Sequence, residues 1–332
     1  MKRYWIPLLG AALFSINANA QTPAGNIQAH VATARAAARE DYSGVINLCN
    51  EPQPAAGQRA TAPAQRGNAP AQRTAPPRSQ WYAEPAKVFD NLYFIGSKDV
   101  SAWAVTTPDG IILIDSLYEY SVEEQIANGL KKLGLDPAKI KYVVVTHGHL
   151  DHYLGSKFLQ DHYGAHIVLS EADWNLMARD NIPAELKPKK DMVATDGQKL
   201  TLGDTTITLY VTPGHTPGTV SLLIPVKDGN QRHLAGMWGG VGFNFQRTPE
   251  AFKTYATSAR HFQDIVVKAG VDVHLTNHAN QDKTLDKIAA LQTRRPGSAH
   301  PFIVGNDAIK RFLTVVSECA DAQFGWMTSP AK

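Results

Sequence analysis

Hydrophobic and polar positions along this chain fall into two strand-rich stretches, each bordered by helical spacing. Residues 88–95, 102–106 and 111–114 are apolar and rich in β-branched and aromatic residues, and they predict strands, with a turn at Pro108-Asp109-Gly110. A helix over 120–133, a strand over 140–145, a helix over 151–163, a strand over 166–169 and a helix over 170–179 follow. Residues 181–190, with two prolines and three lysines, predict a surface loop. A second run of strands is expected at 199–202, 205–211, 219–225 and 233–235. A long helix over 249–269, a strand over 271–275 and helices from Gln281 and Asp307 complete the pattern. Strand-rich halves flanked by helices predict an α/β fold of two packed sheets with helices outside.

The N-terminal quarter is different. Residues 27–41 are alanine-rich with helical spacing and stop at Tyr42-Ser43-Gly44, so 21–50 reads as a helical arm. Residues 51–80 turn to Pro, Ala, Gln, Arg and Gly, with Gln-Arg recurring every seven positions. That composition has little to bury and predicts a disordered linker, leaving 81–332 as the main domain. The first twenty residues have the three parts of an export signal: Lys2 and Arg3, the apolar run 5–16, and Ala18-Asn19-Ala20 before Gln21. The run is too short to span a bilayer, so no membrane span is expected after cleavage and the mature chain is expected in the periplasm or secreted.

Charge narrows the partners. The chain carries 33 basic and 30 acidic side chains, a net +3. Two of the basic residues belong to the signal, and the linker has four arginines against Glu51. The rest is near −2, which gives no electrostatic case for binding nucleic acid. Cys49 and Cys319, the two cysteines, lack metal-site spacing and can pair in an oxidising compartment.

The chemistry concentrates in Thr146-His147-Gly148-His149-Leu150-Asp151-His152, between the strand ending near 145 and the helix that follows. In an extended loop His147 and His149 project to the same side and can share a cation; Asp151 and His152 start the helix and can serve a second. His215, between two Pro-Gly turns, and His278, just after a strand, are further candidates. His274 is expected in the core, and His30 at the surface.

His147-x-His149-x-Asp151-His152 resembles the signature loop of the metallo-β-lactamase superfamily, over about residues 85 to 300, and is most similar to the subclass with only His and Asp ligands. The resemblance implies a four-layer αββα sandwich that holds two Zn2+. One ion would take His147, His149 and His215, the other Asp151, His152 and His278. Asp151 would also accept a proton in catalysis. Asp115, which by itself reads as a helix cap, would orient the loop imidazoles. Where the superfamily has a bridging aspartate this chain has Leu234-Ala235-Gly236-Met237, so each ion keeps three protein ligands and an open position.

The implied activity is hydrolysis of a small-molecule cyclic amide, with a β-lactam as the first reading and a lactone or another ester as the alternative. A secreted zinc-binding protein without turnover is a third reading. Met237, Gly239 and Phe243 stand where that subclass places substrate-binding hydroxyls. Met237, Trp238, Phe243, Asn244 and Phe245 are then expected either to form a lip for the substrate or, for the apolar four, to pack in the core. Asn244, Asn277 or Asn280 would compensate for the missing hydroxyls.

Overall fold

The computed structural model describes residues 23–52, 75–295 and 297–329. The expected signal peptide over 1–20 and residues 53–74 of the expected linker lie outside the described residues. Strands β1 (Ala86–Phe89), β2 (Leu92–Phe94), β3 (Trp103–Thr107), β4 (Gly110–Ile114), β5 (Ile140–Val144), β6 (His166–Ser170) and β7 (Met192–Ala194) form one sheet in chain order. The pairings from β1 to β4 are antiparallel, and those from β4 to β7 are parallel and use longer crossovers. Strands β8 (Gln198–Leu202), β9 (Thr205–Val211), β10 (Val220–Asp228), β11 (Gln231–Met237) and β12 (Val273–Leu275) form the second sheet. β12 joins it parallel to β11, after a crossover that contains helix Pro249–Ala269.

Alternation along the strands builds four layers. Ile112 and Ile114 of β4 share a buried cluster with Leu222 and Ile224 of β10, between the sheets. Their neighbours Ile111 and Leu113 face the other way, onto Val122, Ile126 and Leu159 of the outer helical layer. On the far side, Leu223 of β10 packs with Phe262 of helix Pro249–Ala269 and Phe312 of helix Asn306–Thr328. The fold is the αββα sandwich that the pattern implied. Among the described residues no helix is long and apolar enough to cross a membrane.

The arm is part of this body. Ile27, Val31, Ala34 and Ala38 form one stripe of helix Pro23–Ala38 and pack with Phe312, Val316 and Ala320. Beyond the helix, Cys49 is joined to Cys319, 270 positions away in the chain. Gln323 Nε2 donates to the carbonyls of Leu48 and Asn50 at 2.9 and 2.8 Å. Closing so long a loop restricts the unfolded chain most and stabilises the folded one correspondingly.

Several elements differ from the pattern. The strand expected over 88–95 is the hairpin β1–β2, because Asp90 and Asn91 are turn formers in its middle. The helix expected over 151–163 is divided into Leu150–Tyr153 and Ser156–Tyr163. Gly155 lies between them, where a Cβ would overlap the Ser116 carbonyl oxygen. β7 and the one-turn helix Arg78–Trp81 have no counterpart among the expected elements.

His274 sits on β12 in the core, edge-on to Tyr42 and against Phe312, with Nε2 unpartnered. Burial lowers this imidazole from 6.5 to about 3. A depressed histidine contributes stability that is intact above pH 6.5 and is lost as pH falls from there toward 3. Between pH 7 and 5, urea unfolding of His274→Gln should therefore lose about 2 kcal/mol less stability than the wild-type chain. Parallel pH profiles for the two proteins would count against this account.

Candidate metal centre

Loops leaving the carboxyl ends of β4, β5, β9, β11 and β12 meet at one edge of the sandwich, and the two sheets are stitched together there. The Val220 amide donates to the Thr146 carbonyl at 2.7 Å, and the Ser101 amide to the Asn277 carbonyl at 2.9 Å. These bonds bring histidines from distant parts of the chain into one cleft.

His147, His149 and His215 converge in one group, and Asp151, His152 and His278 in another, with the ligand-type atoms of each group within 4.8 Å of one another. His147 Nδ1 donates to the Gly239 carbonyl at 2.9 Å, and His215 Nδ1 donates to the Gly242 carbonyl. Both bonds fix the tautomer and leave lone pairs on the Nε2 atoms, which face each other 3.0 Å apart. His149 Nδ1 is also 3.0 Å from His215 Nε2. Lone pairs at that separation repel unless a cation lies between them, so this donor set fits a metal ion.

Electrostatics agree. Burial holds His147 well below the usual histidine range and lowers His149 to about 4 and His215 to about 3, so all three are neutral at pH 7, the form in which an imidazole can bind a metal ion. In the second group His152 Nε2 is 3.3 Å from both Asp151 Oδ2 and His278 Nε2. Burial pushes the His152 imidazole down, but the carboxylates of Asp151 and Asp115 outweigh it and raise the group to about 10. Burial pushes Asp151 up, and the neighbouring imidazoles of His152, His278 and His149 bring it well below the usual carboxylate range. This pocket has the charge to accept a cation where the protein alone would hold a proton. The rings of His147 and His152 lie 4.1 Å apart between centroids, so the two groups abut.

Two buried carboxylates hold the loops. Asp115 accepts the Thr146 amide at 2.7 Å, the Thr146 hydroxyl at 2.9 Å and His152 Nδ1–H at 2.8 Å. Its φ of 61° is left-handed, a region that aspartate tolerates better than most residues. Asp173, on helix Glu171–Ala178, accepts the Gly148 amide at 2.8 Å, the Thr216 hydroxyl at 2.6 Å and the Gly218 amide at 2.8 Å. It ties the loop of His147 and His149 to that of His215. Burial raises its carboxyl against the pull of those three bonds.

Residues 95–228 match the metallo-β-lactamase superfamily. A subclass B3 metallo-β-lactamase of Bradyrhizobium japonicum, BJP-1, shares 28% identity with a TM-score of 0.63, over 74% of this chain and 95% of that one. Over residues 95–228 in sequence, and over most of its length in fold, the chain is similar to the metallo-β-lactamase superfamily. Its similarity extends to the subclass that uses only His and Asp ligands. Among curated proteins, 117 residues are 33% identical to a hydroxyacylglutathione hydrolase of Acidiphilium cryptum, covering 34% of this chain and 42% of that one. Over 106 residues the match to the N-acyl homoserine lactonase AttM of Agrobacterium fabrum is 35% identical, covering 29% of this chain and 40% of that one. The chain spans less than half the length of the curated relatives it matches.

Within this metallo-β-lactamase frame the expected lip is largely absent. Met237 ends β11 inside the core between the sheets. Trp238 is buried, with Nε1 donating to the Tyr255 hydroxyl at 3.2 Å. Phe243 is buried against Phe252 and Tyr255, and Phe245 packs on the same cluster. The reason is the loop Gly239-Gly240-Val241-Gly242, which runs against His147 and His215 and carries its flanking aromatics down onto helix Pro249–Ala269. Of the five residues, only Asn244 lines the cleft.

Sequence reasoning missed Asp173, the carbonyls of Gly239 and Gly242, and the arm, which walls the cleft through Gly44, Val45, Asn47 and Leu48. Three glycines in four positions were a usable signal of close backbone approach. Asp173 gave none. A Cβ on Gly240 would crowd the His215 ring, and a Cβ on Gly239 would overlap the Val220 carbonyl oxygen, so no serine fits at Gly239 without movement. Asp115→Ala should weaken metal binding by about 10–100-fold in a competitive chelator titration, and Gly240→Ala should weaken it too by displacing His215. Unchanged affinity in both would remove the supporting roles argued here.

Proposed function

We propose that this chain is an exported di-zinc hydrolase that opens a cyclic carbonyl compound. On this reading residues 1–20 are the export signal, 21–50 an arm, 51–80 a linker, and 81–332 the catalytic domain. The Cys49–Cys319 bond is in keeping with an oxidising compartment such as the periplasm. The observation that carries the proposal is the pair of abutting three-residue donor groups with facing lone pairs at the bottom of a cleft.

His147, His149 and His215 would hold one ion; Asp151, His152 and His278 would hold the other. When bound, such a pair supplies Lewis-acid polarisation of the carbonyl and acidification of water. The protein contributes orientation. Gly239 and Gly242 fix two ring tautomers through their carbonyls, and Asp115 fixes a third. Asp151, ionised beside the imidazoles around it, would be the group that accepts a proton. The cleft opens onto both donor groups, which favours turnover over storage.

Two substrate readings are supported by different observations. A β-lactam is supported by the similarity to BJP-1, a metallo-β-lactamase. A lactone or another ester is supported by the match to an N-acyl homoserine lactonase and by the absence of hydroxyl side chains where that subclass binds the substrate carboxylate. Zinc-loaded protein should hydrolyse a chromogenic cephalosporin, an N-acyl homoserine lactone, or both. Chelation should abolish that activity and zinc should restore it, while the double variant His147→Ala/His149→Ala should lose at least about 100-fold. Full activity in the double variant would overturn the assignment.

A further inference from the structure

Resting on the di-zinc reading, we propose that Asp99 is a positioning residue for His278. It sets the affinity of the ion held by Asp151, His152 and His278 and leaves the other ion untouched. Asp99 lies in the turn between β2 and β3, far in the chain from every donor of both groups.

The backbone puts it beside the ligand loop. Val100 and His278 pair as an isolated antiparallel bridge. The Ala279 amide donates to the Asp99 carbonyl at 2.7 Å, and the Ser101 amide to the Asn277 carbonyl at 2.9 Å, one bond on each side of that bridge. The turn is closed by Ser97, whose amide donates to the Val100 carbonyl at 2.7 Å and whose hydroxyl accepts the Val100 amide at 2.9 Å. Val100 itself is buried, and a Cβ on Gly96 would overlap the Ala102 amide nitrogen, so the turn packs without slack. The Asp99 backbone is therefore fixed, while its side chain is 71% exposed.

That side chain reaches the ring. Asp99 Oδ1 accepts from His278 Nδ1–H at 3.4 Å. Nε2 then keeps its lone pair, on the side where it lies 3.3 Å from His152 Nε2 and 3.6 Å from Asp151 Oδ2. The acceptors behind the two groups differ in kind. His147 and His215 donate to neutral carbonyls, whereas His152 and His278 donate to the carboxylates of Asp115 and Asp99. An imidazole whose Nε2 binds a cation has a more acidic Nδ1–H, and its bond to a carboxylate strengthens. By linkage the carboxylate then strengthens the binding of the cation. Asp115 cannot show this alone, because it also carries Thr146. Asp99 can, because an exposed carboxylate is removed without opening a cavity.

The test reads metal affinity one group at a time. In the His147→Ala/His149→Ala chain only the Asp151, His152 and His278 group remains intact. Adding Asp99→Ala there should weaken zinc binding by about 10–100-fold in a competitive chelator titration. Asp99→Asn, which keeps an acceptor oxygen without the charge, should lose less. In the Asp151→Ala/His278→Ala chain only the three-histidine group remains intact, and Asp99→Ala should change its affinity by less than about threefold. The metal-free Asp99→Ala chain should unfold at the same temperature as the metal-free wild type, and an earlier transition would make the role structural and overturn the inference. Equal weakening of both groups, or no weakening of the group that contains His278, overturns it as well. The expected split, found in a protein whose zinc-loaded wild type turns over neither a cephalosporin nor a lactone, supports the role of Asp99 and sinks the hydrolase reading instead. Turnover without the split sinks the role of Asp99 alone.

Discussion

Unprotonated nitrogens of His147 and His215 facing each other at 3.0 Å are an arrangement that no isolated chain segment would adopt. Holding like lone pairs together costs free energy, and that cost has to be met by structure assembled for other reasons. Here two sheets share a dry core, and the loops at one edge are pinned by backbone bonds such as Val220 to Thr146. Three of the imidazoles, those of His147, His215 and His152, are then turned by an acceptor behind them. The acceptors are Gly239, Gly242 and Asp115, and none of them moves without disturbing a strand end. The rigid sandwich sets the geometry, and the donors follow from it.

How much of this the sequence could convey depended on locality. The loop from His147 to His152 was legible because its four candidate donors fall within six positions and follow an obvious strand. His215 and His278 were legible because Pro-Gly turns and strand ends mark where a chain turns back. The layered fold followed from two strand-rich runs with helical borders. Other features depended on contacts between distant segments. Asp173 looks like any acidic residue in the first turn of a helix, and only the folded chain brings it against Gly148 and Gly218. Whether the aromatics form a lip or pack in the core stayed open in the sequence for a related reason. Hydrophobicity says that Trp238 and Phe243 are removed from water, but not whether by a substrate or by helix Pro249–Ala269, and the structure places them on the helix.

The bridge from Cys49 to Cys319 also changes the chain's connectivity. It makes a closed covalent ring of everything between the two sulfurs, including the whole site. The segment that walls the cleft thus has two independent attachments to the body, one along the backbone and one through sulfur. A single protease nick anywhere between residues 53 and 74 would leave that wall tethered, so the protein can be cut in two as a polypeptide and remain one molecule.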